Sequence, residues 1–398
     1  MPAHRSSRLH PRSLARKAMP ISGSLSVNRT YRVAASTLFF VLGMVFATWA
    51  ARIPAIRDGL QLDAAELGVV LLCGGGGSVV CFPIAAWLVG RFGSRQAAWY
   101  TGLVLVSVLP ALAAAPNMVS LMMLMVVLGA SQTSFNVAIN TIGSELEKTT
   151  GRSVLSSLHA WYCVGSLAGA VLGSLLAGAG LAVTMHFSAI TLLLLLMLFL
   201  SCRVLPNDSP AAADRKNHFV LPKGPLLALG VICHCVAIAE GAITDWSSIY
   251  MRDELAATEG IAPLAYAAFS AVMLGARLYA DRAKDRFGAR SVVAAGALLA
   301  TAGIAIVVMA FNLGTTIVGF ALTGAGLAAV FPFVFSAAGK RGPTALAAVA
   351  TMGYSGILIG PPVIGFIAHA FGLQAAFAFI GLTTISIALV AIRARVLN

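Results

Sequence analysis

The sequence predicts an all-α membrane protein: twelve transmembrane helices in two pseudo-symmetric six-helix bundles. Three observations lead there. First, 59% of the 398 residues are hydrophobic and only 10% are charged, with a mean hydropathy of +0.90. Soluble domains are about a quarter charged, so an ordinary soluble protein is excluded. The roughly 235 apolar residues nearly match the ~240 that twelve spans of about 20 residues use. Second, the basic residues gather on one side of the membrane. Third, sequence features recur at an offset of 195 residues.

Residues 1–32 carry Arg5, Arg8, Arg12, Arg16, Lys17, Arg29 and Arg32 and no acid. The composition is that of a transit peptide, but without an apolar core it is not a secretory signal. We expect a disordered basic cytoplasmic tail that places the first helix N-in; an organelle signal, or a start at Met19, are the alternatives. Apolar runs then alternate with short polar breaks, predicting spans over 33–54, 65–89, 96–115, 119–143, 154–178, 183–202, 224–250, 263–281, 291–311, 314–338, 346–370 and 374–393. The longest polar break follows the sixth span. The expected domains are an N-terminal bundle over 33–203, a cytoplasmic linker over 204–223, and a C-terminal bundle with a short cytoplasmic tail over 224–398.

With the N-terminus inside, every one of the 27 Lys and Arg falls on the cytoplasmic side except Arg52, Arg57 and Arg252 outside and Arg277 within the eighth span. Such asymmetry sets both helix number and orientation. It also accounts for the net charge of +13 without nucleic acid. The six cysteines lie in or beside apolar runs and read as packing residues. Cys233-His234-Cys235 is not a metal site, because residues two apart on a helix point in nearly opposite directions.

At the offset of 195, Arg91-Phe92-Gly93-Ser94-Arg95 matches Arg286-Phe287-Gly288-Ala289-Arg290. Arg57-Asp58 falls on Arg252-Asp253, and Gly165 on Gly360. Two related six-helix bundles with parallel topology imply a carrier, with its solute site at the midplane between them.

These residues resemble the major facilitator superfamily. Its loop signature, roughly G-x-x-x-D-R-x-G-R-[RK], appears as Ala86 through Gly90-Arg91-Phe92-Gly93-Ser94-Arg95, without the leading glycine and the aspartate. It appears again as Asp281 through Asp285-Arg286-Phe287-Gly288-Ala289-Arg290, with the aspartate kept. The family uses this loop to pin cytoplasmic helix ends, and the weakened first copy puts the strength of that latch in doubt. Trp49-Ala50-Ala51-Arg52-Ile53-Pro54, Ser156-Ser157-Leu158-His159 and Glu240 through Asp245-Trp246 are similar to the fucose-permease-like and MosC-like branch. That resemblance implies the major facilitator fold and a small polar solute, often a sugar or polyol, moved with protons.

Glu240 lies two-thirds along the seventh span, deeper than any other acid. A carboxylate at helix centre costs about 2.5–3.5 kcal/mol on insertion scales, which favours a cavity or protonation. It is the proton-coupling candidate, or else a structural acid held by a neighbouring helix. Arg52 and Asp245 sit at similar depth near the outer ends of the first and seventh spans and are expected to form an outer-gate ion pair; the alternative is that each reaches headgroups or water. Gln132, Asn136 and Asn140, spaced by four, form one polar stripe whose amides suit sugar hydroxyls, or interhelical hydrogen bonds. His159, Trp161, Trp49 and Trp246 are candidates to complete the cavity with a hydrogen-bonding group and stacking faces, packing being the alternative. Arg277 and Asp281, four apart, are expected to neutralise each other. The runs Gly74–Gly77 and Gly356–Gly365, the second with Pro361 and Pro362, are expected to pack and bend.

The expected function is a secondary active, proton-coupled carrier of a small polar solute in a bacterial inner membrane, acting as a monomer with both termini cytoplasmic. The expected partners are the solute, protons and lipid, with no nucleic acid. A drug/proton antiporter is the alternative, weakened by the missing proline near Gly165–Gly169. A non-transporting sensor lacks room for an output domain. No nucleophile–base pair or ligand cluster points to an enzyme, a cofactor or a metal.

Overall fold

The computed structural model describes residues 21–151, 154–206, 221–309 and 312–397. Most of the basic tail, Arg152 and much of the linker, including Arg215 and Lys216, lie outside these residues. Among the described residues helix is the only regular secondary structure. The N-terminal half comprises α1 (Ile21–Leu60), α2 (Ala64–Val80), α3 (Phe82–Phe92), α4 (Ser94–Ala113), α5 (Met118–Thr150), α6 (Leu155–Gly178) and α7 (Val183–Val204). The C-terminal half comprises α8 (Pro225–Asp253), α9 (Leu264–Phe287), α10 (Ala289–Met309), α11 (Leu313–Leu327), α12 (Val330–Gly339), α13 (Pro343–Phe371) and α14 (Leu373–Arg393).

The helices make twelve spans because two spans are broken. α2 and α3 meet at a 45° bend at Cys81. Pro83, at the start of α3, cannot donate to the preceding turn. α11 and α12 part at Ala328–Ala329, where Pro332 removes the donor that Ala328 O would otherwise receive four residues on. By length and hydropathy α11 and α12 still make one spanning stretch. Among the described residues ten such stretches occur before the bent pair is added as an eleventh. α9 is the twelfth span. Its 24 residues run about 36 Å, and its low hydropathy comes from charges crowded into its last three turns. α1 begins twelve residues before the expected first span, so part of the predicted tail is helix.

The repeat is visible in the packing. In the N-terminal half α1 lies along α6, α2 along α5, and α4 along α5 and α7; in the C-terminal half α8 lies along α13, α9 along α11, and α10 along α11 and α14. The two halves meet through α2 with α13, α6 with α9, and α1 with α8. The loop motifs repeat at backbone level as well. Gly93 and Gly288 have φ of 82° and 79°, a region that penalises a Cβ. Each turns the chain from the second span of its half into the third. Nearby, Arg91 lies in the last turn of α3 and Arg286 lies over the Phe287 ring. Ser94 hydroxyl, beside Arg95, contacts Glu145, and Arg290, five residues beyond Asp285, donates to Ile392 O.

Since the spans alternate in direction, the loops containing Gly93 and Gly288 share one face with the start of α1 and the end of α14. We call this the basic face, and the opposite one the far face. The glycines expected to pack do so. Cβ atoms on Gly68 and Gly75 would lie 3.1 Å from Gly365 Cα and 3.3 Å from Leu358 Cα, so α2 and α13 touch backbone to backbone across the two halves. α13 itself passes through Pro361-Pro362 as one helix.

Candidate functional site

Between the halves, at mid-depth, lies a cavity of about 300 Å³. α8 supplies Glu240, Thr244 and Asp245; α9 supplies Tyr266, Ser270 and Arg277; α5 supplies Gln132; α6 supplies Tyr162 and Ser166; α1 supplies Phe46 and Trp49. A polar floor with aromatic walls results.

Glu240 Oε1 is buried without a hydrogen-bond partner, while the Glu240 carbonyl accepts from Thr244 Oγ1 at 2.8 Å. The cation among the lining residues, Arg277, is held elsewhere. Its Nε donates to Ala328 O at 3.2 Å and its Nη1 to Cys163 Sγ at 3.2 Å. The expected Arg277–Asp281 neutralisation is therefore corrected. The α11–α12 break leaves Ala328 O without its intrahelical donor, and a guanidinium at the carbonyl end of a half-helix is favoured by both the hydrogen bond and the helix dipole. Arg277 thus ties the break to the cavity and, through Cys163, joins one half to the other.

The predicted Arg52–Asp245 pair is also corrected. Asp245 faces the cavity. Arg52, only 2% exposed, turns instead to α7, the α6–α7 loop and the α8–α9 loop. There Nε donates to His186 Nδ1 at 3.1 Å, Nη2 to Leu181 O at 2.8 Å, and Nη1 to Glu259 Oε2 at 3.2 Å. Arginine has no acceptor, so the His186 proton sits on Nε2, which is buried and unpartnered. A buried guanidinium is tolerated here because three donors are met at once.

Around Arg52 the far face carries a chain of alternating charges. Arg57 Nη1 contacts Asp253 at 2.5 Å, Arg252 Nη2 contacts Asp58 at 2.7 Å, and Arg252 Nη1 lies 3.5 Å from Glu259. The two repeated Arg-Asp dipeptides exchange partners: the arginine of each half takes the aspartate of the other. Close by, Ser174 hydroxyl donates to Gly260 O, and His369 Nδ1 lies 3.5 Å from Asp63. Partly exposed pairs are worth about 0–1 kcal/mol each. Together they hold the two halves at the far face by roughly 1–3 kcal/mol.

The polar stripe is only partly in the cavity. Gln132 lines it. Asn136 and Asn140 lie one and two turns nearer the basic face, where Asn140 Nδ2 donates to Asn136 Oδ1 at 2.7 Å and Asn140 Oδ1 accepts from His159 Nε2 at 3.2 Å. Asn136 and His159 are exposed there rather than enclosed. Among the aromatics Trp49 lines the cavity, and two placements are corrected. Trp246 is fully buried in the C-terminal bundle. Trp161 lies on another face of α6, 100° from the cavity residue Tyr162. The sequence reading did not single out Tyr162, Tyr266, His186 or Glu259. Tyr162 and Ser166 repeat at four, a spacing that marked the amide stripe on α5. Glu259 sits in a loop, where no periodicity flags it.

Among the described residues no cluster of metal-ligating side chains occurs, and the cysteines are free. The Major Facilitator Superfamily profile matches residues 34–252 and 229–397. An uncharacterised MFS-type transporter of Yersinia pestis is 32% identical over 367 residues, covering 90% of this chain and 94% of its own. The membrane protein MosC of Rhizobium meliloti is 32% identical over 346 residues, covering 86% of this chain and 84% of its own. The crystal structure of a mutant of the nucleoside transporter NupG superposes with a TM-score of 0.77 at 13% identity, covering 92% of this chain and 100% of that one. A twelve-span helical fold with an internal repeat, a midplane cavity and these matches converge on one assignment: this chain is an integral membrane protein of the major facilitator superfamily.

Proposed function

We propose that the protein is a proton-coupled carrier of a small polar solute, a sugar, polyol or related compound, working as a monomer by alternating access. One observation carries the reading: Glu240 presents a buried carboxyl oxygen with no protein partner at the wall of a cavity shared by the two halves. A carboxyl placed so can take a proton from one side and release it to the other when the cavity changes sides. Gln132, Ser166, Ser270 and Thr244 offer donors and acceptors to hydroxyl groups. Trp49 and the two tyrosines offer faces for a ring.

The charge asymmetry supports a basic face in the cytoplasm of a bacterial inner membrane, with both termini there. On that assignment the far-face latch is an outer gate, closed in this form. Release of the proton to the cytoplasm leaves a charged Glu240 with Arg277 in the same cavity, and their attraction balances the charge for the empty return.

The test is external pH in de-energised right-side-out vesicles holding the protein, on addition of sugars, polyols and lipophilic cations in turn. Alkalinisation with one sugar or polyol, absent in Glu240→Gln, is the expected result. Acidification with lipophilic cations would make the protein an antiporter. Silence with every compound would remove proton coupling to the solutes tried.

A further inference from the structure

A second cleft, of about 440 Å³, lies on the outside of the N-terminal bundle. It exists because α6 and α7 both pack on α1 but scarcely on each other, which leaves a crevice with α1 as its floor. Arg29 and Arg32 stand at its basic-face end, and Val33, Phe40, Trp161 and Met197 line it. It faces away from the solute cavity: on α6, Trp161 is about 140° around the helix from the cavity residue Ser166.

The crevice opens sideways, onto lipid. Val33 is 59% exposed and Trp161 46% exposed. Trp161 lies six residues, about 9 Å, from the start of α6. That is the depth at which tryptophan sits between headgroups and acyl chains. Arg29 and Arg32 are three residues apart, on one side of α1, above these apolar walls. Arg32 Nη2 donates to Ser157 Oγ at 3.3 Å, so one guanidinium is fastened at the mouth.

The electrostatics favour an anionic occupant. α6 and α7 contain no acidic residue, and the first acid in the chain is Asp58, at the opposite end of α1. Glu147 of α5, at the start of α6, has one carboxylate oxygen taken by the Val154 and Leu155 amides. The chain's own first residues, with Arg5, Arg8, Arg12, Arg16 and Lys17, are repelled by the same two arginines. What fits is an anion carrying a long apolar body.

We propose that this cleft binds an anionic phospholipid of the leaflet on the basic face, with its phosphate between Arg29 and Arg32 and an acyl chain along Val33, Phe40, Trp161 and Met197. The site is separate from the solute route and does not rest on the function proposed above.

Native mass spectrometry of the full-length protein in mild detergent tests it, titrating phosphatidylglycerol against phosphatidylcholine with the same acyl chains. Phosphatidylglycerol is expected to be retained preferentially. Arg29→Gln/Arg32→Gln is expected to weaken it about 30-fold, from the attraction typical of two basic residues at an anionic surface. Lys223→Gln/Arg393→Gln, the same charge change in the other bundle, is expected to leave retention unchanged, and Arg29→Lys/Arg32→Lys to keep most of it. Thermal unfolding in phosphatidylcholine checks that each variant is folded. Equal retention of phosphatidylglycerol by the wild type and the glutamine variant would overturn the proposal. So would displacement of the lipid by glycerol 3-phosphate, since a headgroup phosphate alone would then suffice.

Discussion

Gly43 and Gly165 show how little room the first bundle leaves. A Cβ on Gly43 would run into Tyr162 O, and one on Gly165 into Phe40 O. Both obstacles are backbone, so α1 and α6 must separate to admit a methyl group. We expect Gly43→Ala to cost about 1–3 kcal/mol, seen as a fall in the thermal midpoint of the purified protein; an unchanged midpoint would show that the contact is looser than described. This contact also carries function, since Tyr162 and Cys163 on α6 face the cavity. At this scale the sequence is informative about depth and poor about direction. The offset of 195 puts Arg52 and Asp245 at similar depth, but depth does not say which way a side chain turns. Asp245 turns to the cavity and Arg52 to His186, Leu181 and Glu259. Arg277 is hard to place for a related reason. Its spacing to Asp281 is local, while the carbonyl it serves is freed by a proline on another helix.

Helix ends and breaks decide what the elements can do. Most spans are legible because uninterrupted apolar runs leave few alternatives in a membrane. The breaks at Cys81 and Ala328 are not, since proline inside an apolar run gives no hint whether neighbouring helices will meet the freed groups. The far-face ends of α1 and α8 matter most, for there Arg57 meets Asp253 and Arg252 meets Asp58. We expect Arg57→Asp to open the far face more often, because one reciprocal pair is lost and a like charge faces Asp253. In a background without native cysteines, modification of Ser270→Cys by an impermeant thiol reagent from the far face should rise at least about fivefold, the change that roughly 1 kcal/mol brings. Adding Asp253→Arg should return the rate towards the starting value. A double variant as reactive as the single one would mean that the dipeptides meet without holding.

Over the whole molecule, the two halves are fastened at the far face and, through Arg277 and Cys163, at mid-depth, with the cavity between these two fastenings. Gly178 and Gly260 report on that state. A Cβ on Gly260 would lie only 2.7 Å from Gly178 Cα, backbone against backbone, so a side chain there must part the halves. Gly260→Ala is therefore expected to open the far face more often and to raise modification of Ser270→Cys from that side. An unchanged rate would show that this contact does not hold the far face. The exchange of partners between the two Arg-Asp dipeptides has a further consequence. It is the geometry of an isologous contact, in which one surface patch is complementary to its own copy. A lone six-helix unit carrying Arg57-Asp58 would already hold both parts of such a contact and could close against a second copy of itself as a homodimer. The Arg52–Glu259 arm is different. At the repeat offset Arg52 corresponds to Ser247 and Glu259 to Ala64, so this arm occurs once and belongs to the fused chain. It makes the far-face closure lopsided, anchored more firmly beside α7 than on the side where α2 meets α13.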